Sequence, residues 1–261
     1  MTILDEIAGR ARERVESAKR IVPAEEMRKR ALSTEQGDFA FERALRKPGL
    51  SFILECKKAS PSKGVIAETF DPVSIALDYE RCGADAVSVL TEPFWFMGRN
   101  EYLKDVAKRL EIPVLRKDFT VDEYMLYEAK LLGASAVLLI TAILSAGQLS
   151  EYTGICDELG LSALVEVHDE EEAQRAADCN ARIIGVNNRN LKDFSVDTQN
   201  SRRLRRLIPE DILFVSESGV RDEADIRRIT ELGADAVLIG ETMMRAADKR
   251  AMLEALKRGA V

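Results

Sequence analysis

The sequence predicts an α/β protein whose eight parallel strands close into a (β/α)8 barrel, with a helical extension at the N-terminus. Three observations lead there. The first is a recurring phrase: Gly83-Ala-Asp-Ala-Val-Ser-Val-Leu90, Gly133-Ala-Ser-Ala-Val-Leu-Leu-Ile140 and Gly233-Ala-Asp-Ala-Val-Leu-Ile-Gly240. Each copy follows an amphipathic helical stretch (SIALDYERC, YMLYEAKLL, DIRRITEL), so its glycine falls where a helix end favours a left-handed residue. The apolar run behind it suits a strand buried on both faces. The second is spacing: the copies lie 50 and 100 residues apart, multiples of about 25, the size of one βα unit. The third is that no G-x-G-x-x-G follows the first strand, which disfavours an open doubly wound sheet.

Filling the gaps gives strands over 52–56, 85–90, 113–116, 136–140, 163–167, 183–187, 213–216 and 236–239. Helical patterns separate them, near 73–82, 101–110, 122–132, 146–159, 169–178, 200–207, 222–232 and 246–258. Eight such units in a row make a closed TIM barrel the expected architecture. Residues 1–46 precede the first strand and do not fit the repeat. Ile3, Leu4, Ile7, Ala8, Ala11, Val15 and Ala18 recur there at helical spacing, and their stripe is expected to dock across one end of the barrel. No linker rich in Pro, Gly or Ser interrupts the chain. Residues 1–261 are therefore expected to form one domain, with 1–46 as its N-terminal extension.

The 261 residues carry a net charge of −7, with lysines and arginines dispersed, so no basic field invites nucleic acid. No apolar run approaches the roughly 18 residues that span a membrane, and the charged N-terminus lacks a signal-peptide core. A cytoplasmic protein is expected. Cys56, Cys82, Cys156 and Cys179 form no Cys-x-x-Cys pair and are read as reduced thiols in core positions. With a single histidine, His168, a zinc site is not expected, and His168 itself is read as structural or surface.

In a barrel the chemistry sits where strands end and βα loops begin. Seven of the eight predicted ends are polar. The first, FILECKKASPSKG, offers Glu55, Lys57, Ser60 and Lys63; the second gives the aromatic loop Thr91-Glu-Pro-Phe-Trp-Phe-Met-Gly98. The third is Leu115-Arg-Lys-Asp-Phe119, the fifth Leu164-Val-Glu-Val-His168, the sixth Gly185-Val-Asn-Asn-Arg-Asn190, the seventh Val215-Ser-Glu-Ser-Gly219 and the eighth Ile239-Gly-Glu-Thr242. The fourth ends in Thr141-Ala142, to which no role attaches. Charges beside buried strands are costly unless paired or used, so the ensemble reads as a functional pocket.

Gly219 and Gly240 close the seventh and eighth strands, where such barrels bind phosphate through backbone N–H groups; Ser60 can add a hydroxyl. A phosphorylated small molecule is the expected ligand. Lys57, Lys117, Glu55 and Glu166 can supply acid and base functions, while Lys63 is expected to be solvated. Phe94, Trp95, Phe96 and Phe119 can form a platform for a flat ring, with Phe96 and Phe119 expected to make the contact. Strand alternation turns Glu55 and Lys57 inward and Cys56 and Lys58 outward.

Glu55-Cys-Lys-Lys-Ala-Ser-Pro-Ser-Lys-Gly64 closely resembles the signature of the indole-3-glycerol phosphate synthases of tryptophan biosynthesis. The resemblance continues in the ILDEI opening, Leu90-Thr-Glu, Arg116-Lys-Asp-Phe119, Leu164-Val-Glu-Val, Ile184-Gly-Val-Asn-Asn-Arg189 and Ser216-Glu-Ser-Gly219. It implies a carbon–carbon lyase without cofactor or metal. The implied reaction closes the ring of 1-(2-carboxyphenylamino)-1-deoxyribulose 5-phosphate with loss of CO2 and water. By the same resemblance Lys117 is the general acid and Lys57 binds the substrate carboxylate and takes part in dehydration. Glu166 acts as acid or base near the departing hydroxyl, and Glu55 orients the lysines. Asn187, Arg189, Glu217 and Ser218 hold substrate with Phe96 and Phe119, and Ser60, Gly219, Gly240 and Glu241 bind phosphate.

The last glycine is expected to be followed by a small hydroxyl residue more often than by Glu241, and an inward carboxylate there would repel phosphate. A monomer is expected, with other tryptophan-pathway enzymes open as partners. Two alternatives stand beside this reading. One is another phosphate-binding barrel enzyme, such as the isomerase acting on phosphoribosylanthranilate, which would want a pocket-facing cysteine. The other is a non-catalytic phosphate-binding barrel.

Overall fold

Each predicted apolar run becomes a strand, and each strand pairs in parallel with its sequence neighbours until the eighth returns to the first. The structure, a computed structural model, describes residues 2–190 and 194–260. The barrel strands are β1 (Ser51–Cys56), β2 (Ala86–Leu90), β3 (Val114–Lys117), β4 (Ala136–Ile140), β5 (Ser162–Val167), β6 (Ile183–Asn187), β7 (Leu213–Glu217) and β8 (Ala236–Ile239). The helices between them are α4 (Pro72–Arg81), α5 (Asn100–Ala107), α6 (Tyr124–Leu131), α7 (Ala146–Leu159), α8 (Glu170–Asp178), α9 (Gln199–Arg205) and α10 (Glu223–Glu231). Registers such as Glu55↔Ser88, Leu90↔Lys117, Ile140↔Glu166, Glu166↔Gly185 and Asn187↔Glu217 bring the polar strand ends to one rim.

The recurring phrase has a mechanical use at the opposite rim. Asp85 donates its N–H to the Phe52 carbonyl and accepts the Phe52 N–H on Oδ2 at 2.7 Å. Asp235 makes the same pair of bonds with Phe214, and Ser135 the analogous pair with Val114. The third residue of the phrase thus clips the start of the preceding strand, satisfying backbone groups that have no sheet partner there. Gly83, Gly133 and Gly233 precede the clips with φ of +89°, +87° and +70°, which only glycine adopts without strain.

The N-terminal extension holds three helices rather than one: α1 (Ile3–Ile21), α2 (Ala24–Leu32) and α3 (Ala40–Leu45). Val22 leaves the helical region and Pro23 caps α2, so the periodic stripe ends there. Buried Ile7, Ala8, Ala11 and Val15 seat α1 across the C-terminal mouth of the barrel; fully burying a Val or Ile side chain is worth about 1.5–3 kcal/mol. Two ion pairs fix its angle: Arg14 to Asp118 and Lys19 to Asp122, each at 2.7 Å. α2 packs on the helix after β3, α6 (Tyr124–Leu131), and the Glu42 N–H of α3 reaches Ser162 at the start of β5. The extension therefore runs from the mouth, down the wall, to the base.

The predicted last helix, 246–258, is α12 (Lys249–Lys257), which Asp248 caps by accepting the Ala251 N–H. A separate short helix, α11 (Glu241–Arg245), precedes it and stops where Ala246 is extended. Cys56, Cys156 and Cys179 are buried, whereas Cys82 is only half-buried; all four are free thiols. No helix among the described residues is long and apolar enough to cross a membrane.

Candidate active site

The mouth opens into a cavity of about 720 Å³ beneath α1, whose Ile3, Leu4 and Ile7 form part of its wall. All fourteen residues named above as catalytic, substrate-binding or phosphate-binding line it. The strands deliver them by alternation: Glu55 and Lys57 face in, while Cys56 Sγ lies 3.9 Å from the Pro72 carbonyl on the helix side. Burial pushes that thiol far up, so Cys56 is not a pocket nucleophile.

Lys117, at the end of β3, stands at the centre. Its Nζ donates to Glu217 Oε2 at 2.8 Å and to Glu166 Oε2 at 3.4 Å. Burial alone would lower its pKa, but Glu217, Glu166 and Glu55 together raise it well above the ordinary lysine value. A second pair lies alongside, Lys57 Nζ to Glu55 Oε1 at 2.5 Å. Burial disfavours the Glu55 charge, yet Lys57 and Lys117 outweigh it and hold the carboxyl below its usual range. A Cβ on Gly240 would lie 2.5 Å from Glu55 Oε1 and 2.8 Å from Lys57 Nζ, so this glycine also makes room for the pair.

Glu166 and Glu217 are chemically unequal. Burial opposes ionisation of both. For Glu166 it is outweighed by Lys117, by His168 and by a hydrogen bond from Asn187, so its pKa falls. Glu217 is bonded to Lys117 through Oε2, and its buried Oε1 has no hydrogen-bond partner among the described residues. Burial and the like charges of Glu166 and Glu55 push it up to about 7 despite Lys117. Where two carboxylates share one ammonium, the worse-solvated one is the more readily protonated.

Gly185 explains how Glu217 fits: a Cβ there would meet Glu217 Oε1 at 2.1 Å. A glycine inside a predicted strand is a readable sign of close approach, and it points to Glu217 as a member of the Lys117 centre rather than only a substrate contact. Of the two readings given for His168, structural or surface, its position fits the structural one: it is partly buried, with its imidazole 3.5 Å from Glu166 and 3.2 Å from Glu172. The single letter His at two residues beyond an inward Glu was the available signal. The fourth strand end now has an account as well: Thr141 Oγ1 donates to the Glu166 carbonyl, and Arg175 donates to the Thr141 carbonyl.

The aromatic end of the cavity is built by Glu92, which sequence reasoning passed over. Its carboxylate accepts the N–H groups of Phe94, Trp95 and Phe96 at 2.7–3.0 Å, curling the loop. Phe96 then lies 6.0 Å from Phe119, centroid to centroid, at the cavity wall. Phe94 is mostly exposed, and neither it nor Trp95 lines the cavity. Behind Phe119, Asp118 accepts from Arg14 and from Thr91 Oγ1 at 2.5 Å, with Arg116 3.5 Å away. Burial opposes the Asp118 charge, but Arg14 and Arg116 win and depress its pKa.

At the far end Ser218 and Gly219 are both left-handed, with φ of +66° and +97°, a conformation a serine adopts only under constraint. A Cβ on Gly219 would meet Thr198 and Val196 at 2.9 Å, so the loop after β6 closes against it. Arg189 is held in that loop by the Phe194 carbonyl. Glu241 pairs with Arg245 at 3.1 Å and with Lys63 at 3.7 Å. Lys63 is exposed, as expected, and also lines the cavity. Among the described residues no group of three or more His, Cys, Asp or Glu could hold a metal ion.

Solved structures share the architecture at low identity. They include thiamine phosphate pyrophosphorylase from Pyrococcus furiosus (TM-score 0.62, 17% identity, 84% of this chain and 97% of that one). A 3-hexulose-6-phosphate synthase gives a TM-score of 0.66 at 15% identity over 81% of this chain and all of that one. These likenesses establish the fold alone. The family described as Indole-3-glycerol phosphate synthase matches residues 4–256. Proteins so named are 54% identical in Ruminiclostridium cellulolyticum, over 98% of each chain, and 49% identical in Lachnoclostridium phytofermentans, again over 98% of each. One named so from Desulfotalea psychrophila is 50% identical over 93% of this chain and 94% of its own. With a match that runs nearly end to end and includes every charged strand end described above, the chain belongs to the indole-3-glycerol phosphate synthase family.

Proposed function

We propose that this chain converts 1-(2-carboxyphenylamino)-1-deoxyribulose 5-phosphate into indole-3-glycerol phosphate, releasing CO2 and water. The observation that carries the reading is the position of Lys117, a buried ammonium bonded to two unequal carboxylates between an aromatic wall and a glycine-lined end. A substrate with an aromatic carboxylate at one end and a phosphate at the other suits that layout.

In this reading the anthranilate ring lies against Phe96 and Phe119, with its carboxylate at Lys57. The phosphate sits at Ser60 and the backbone N–H groups near Gly219, Gly240 and Glu241, where helix α11 begins. Asn187, Arg189 and Ser218 hold the hydroxyls between. Lys117 donates its proton to the substrate ketone as the ring carbon bearing the carboxylate attacks it. Carbon–carbon bond formation leaves an iminium-like cation beside Glu55, and loss of CO2 returns the electron pair to the ring. The new hydroxyl then takes up a proton and leaves as water while the neighbouring carbon, the one bonded to nitrogen, gives up its proton to form the ring double bond, with Glu166 as the acid or base of this exchange. A strongly raised lysine is a reluctant acid; protonation of Glu217 removes one of its anions and makes Lys117 a better donor.

One domain spanning the chain, with residues 1–46 supplying the lid-like α1, is part of the same proposal, as are a monomeric state and a cytoplasmic location. The four unbridged thiols suit a reducing compartment. The test is the fluorescence of indole-3-glycerol phosphate appearing from the carboxyphenylamino substrate. Turnover is expected for the parent and a loss of about 10²–10⁴-fold in Lys117→Ala, the range for a lost general acid. No product from the parent, or undiminished turnover in the variant, overturns the reading.

A further inference from the structure

His168 is the sole histidine of the chain, and its ring lies between two carboxylates. Glu172, in the first turn of α8 (Glu170–Asp178), accepts the His168 backbone N–H at 2.7 Å and lies 3.2 Å from Nδ1. An ionised carboxylate only accepts, so Nδ1 carries a proton. Nε2 is buried and has no hydrogen bond among the described residues; Glu166 Oε1 lies 3.5 Å from it. A bare Nε2 would point a lone pair at that oxygen, whereas a protonated one gives Glu166 a second cation opposite Lys117.

The surroundings favour the second state. The titratable groups acting on the ring are Glu166 on its own strand, Glu172 on α8 and Glu217 on β7, with Lys117 beyond Glu166. From α9 (Gln199–Arg205), neutral Asn200 donates to the His168 carbonyl, and Arg203 bonds the far side of Asn200. Burial disfavours the imidazolium, but the three carboxylates outweigh it and raise its pKa above the ordinary 6.5.

We propose that His168 is a positioning residue of this site, a doubly protonated imidazolium that Glu172 anchors and whose Nε2 side faces the Glu166 carboxylate, orienting it and keeping it ionised. The catalytic consequence rests on the acid–base role proposed for Glu166; the protonation state does not. When Glu166 accepts a proton in turnover, its pair with His168 loosens, and it tightens again when that proton leaves.

Because the chain has one histidine, ring 15N and 13C NMR reads it without assignment. At about pH 7, above the ordinary histidine pKa, both ring nitrogens are expected to be protonated. Glu166→Gln and Glu172→Gln are each expected to move the titration downward. A neutral ring at that pH, or a titration unmoved by both variants, overturns the proposal whether or not the protein turns over the substrate above. For the catalytic consequence, His168→Asn keeps a donor towards Glu172 but cannot carry charge. A fall in kcat of about tenfold is expected from a misplaced carboxylate, with KM changed less than about twofold. The limb of the kcat–pH profile belonging to Glu166 should move to higher pH. A profile and kcat that superimpose on the parent overturn the positioning role.

Discussion

Lys117 Nζ bonds Glu217 Oε2 at 2.8 Å, while the other oxygen of the same buried carboxylate has no hydrogen-bond partner among the described residues. The closest anion to the proposed acid is thus also the one least able to stay ionised. That combination ties the proton-donating power of Lys117 to a group titrating near neutrality, at about 7.

Glu217→Gln should therefore remove an inflection near pH 7 from the kcat profile, which the parent is expected to show. The same substitution has a stability signature. Glu217 is raised above its ordinary 4.5, so the folded chain binds more protons than the unfolded one between about 4.5 and 7. Stability falls as pH rises through that window, and Glu217→Gln should flatten the slope. Urea midpoints at pH 5 and pH 8 measure it.

Gly185→Ala should displace Glu217 rather than merely crowd the barrel, because its methyl would occupy the position of Oε1. A kcat loss of about tenfold or more is expected for a catalytic group moved by about 1 Å, with about 1–3 kcal/mol of overpacking cost. Steady-state kinetics and thermal melting read the two effects separately. An unchanged kcat would mean that Glu217 does not govern Lys117.

Arg14→Met should unhook α1 from the mouth. Asp118 would keep Arg116 and Thr91 but lose its 2.7 Å partner, at a cost of about 1.5–3 kcal/mol for a hydrogen bond to a charged group. Since Ile3, Leu4 and Ile7 wall the cavity, KM should rise more than kcat falls. The sign with pH follows from the depressed Asp118. Its contribution is present above its ordinary 3.8 and is lost as pH falls through the lower folded value. The variant should lose part of that acid-side slope, read from denaturation midpoints between neutral pH and pH 3.

The barrel was legible because its code is local and repeated. A helix, a left-handed glycine and a doubly buried strand leave the same phrase each time, at spacings that admit few topologies. The rim residues were legible for a related reason: once strand ends are located, period-two alternation separates Glu55 and Lys57 from Cys56. What the sequence by itself determined was therefore the fold, the direction of each strand-end side chain and the family.

Only the tertiary structure decided who partners whom. Glu217 and Lys117 lie 100 positions apart, and Arg14 lies 104 from Asp118. No periodicity encodes such distances; they follow from strand register and from the angle at which α1 crosses the mouth. The unequal charging of Glu166 and Glu217 is likewise a property of the assembled pocket. It depends on how many donors reach each oxygen in a place shielded from water, and the approach of His168 to Glu166 is decided there as well.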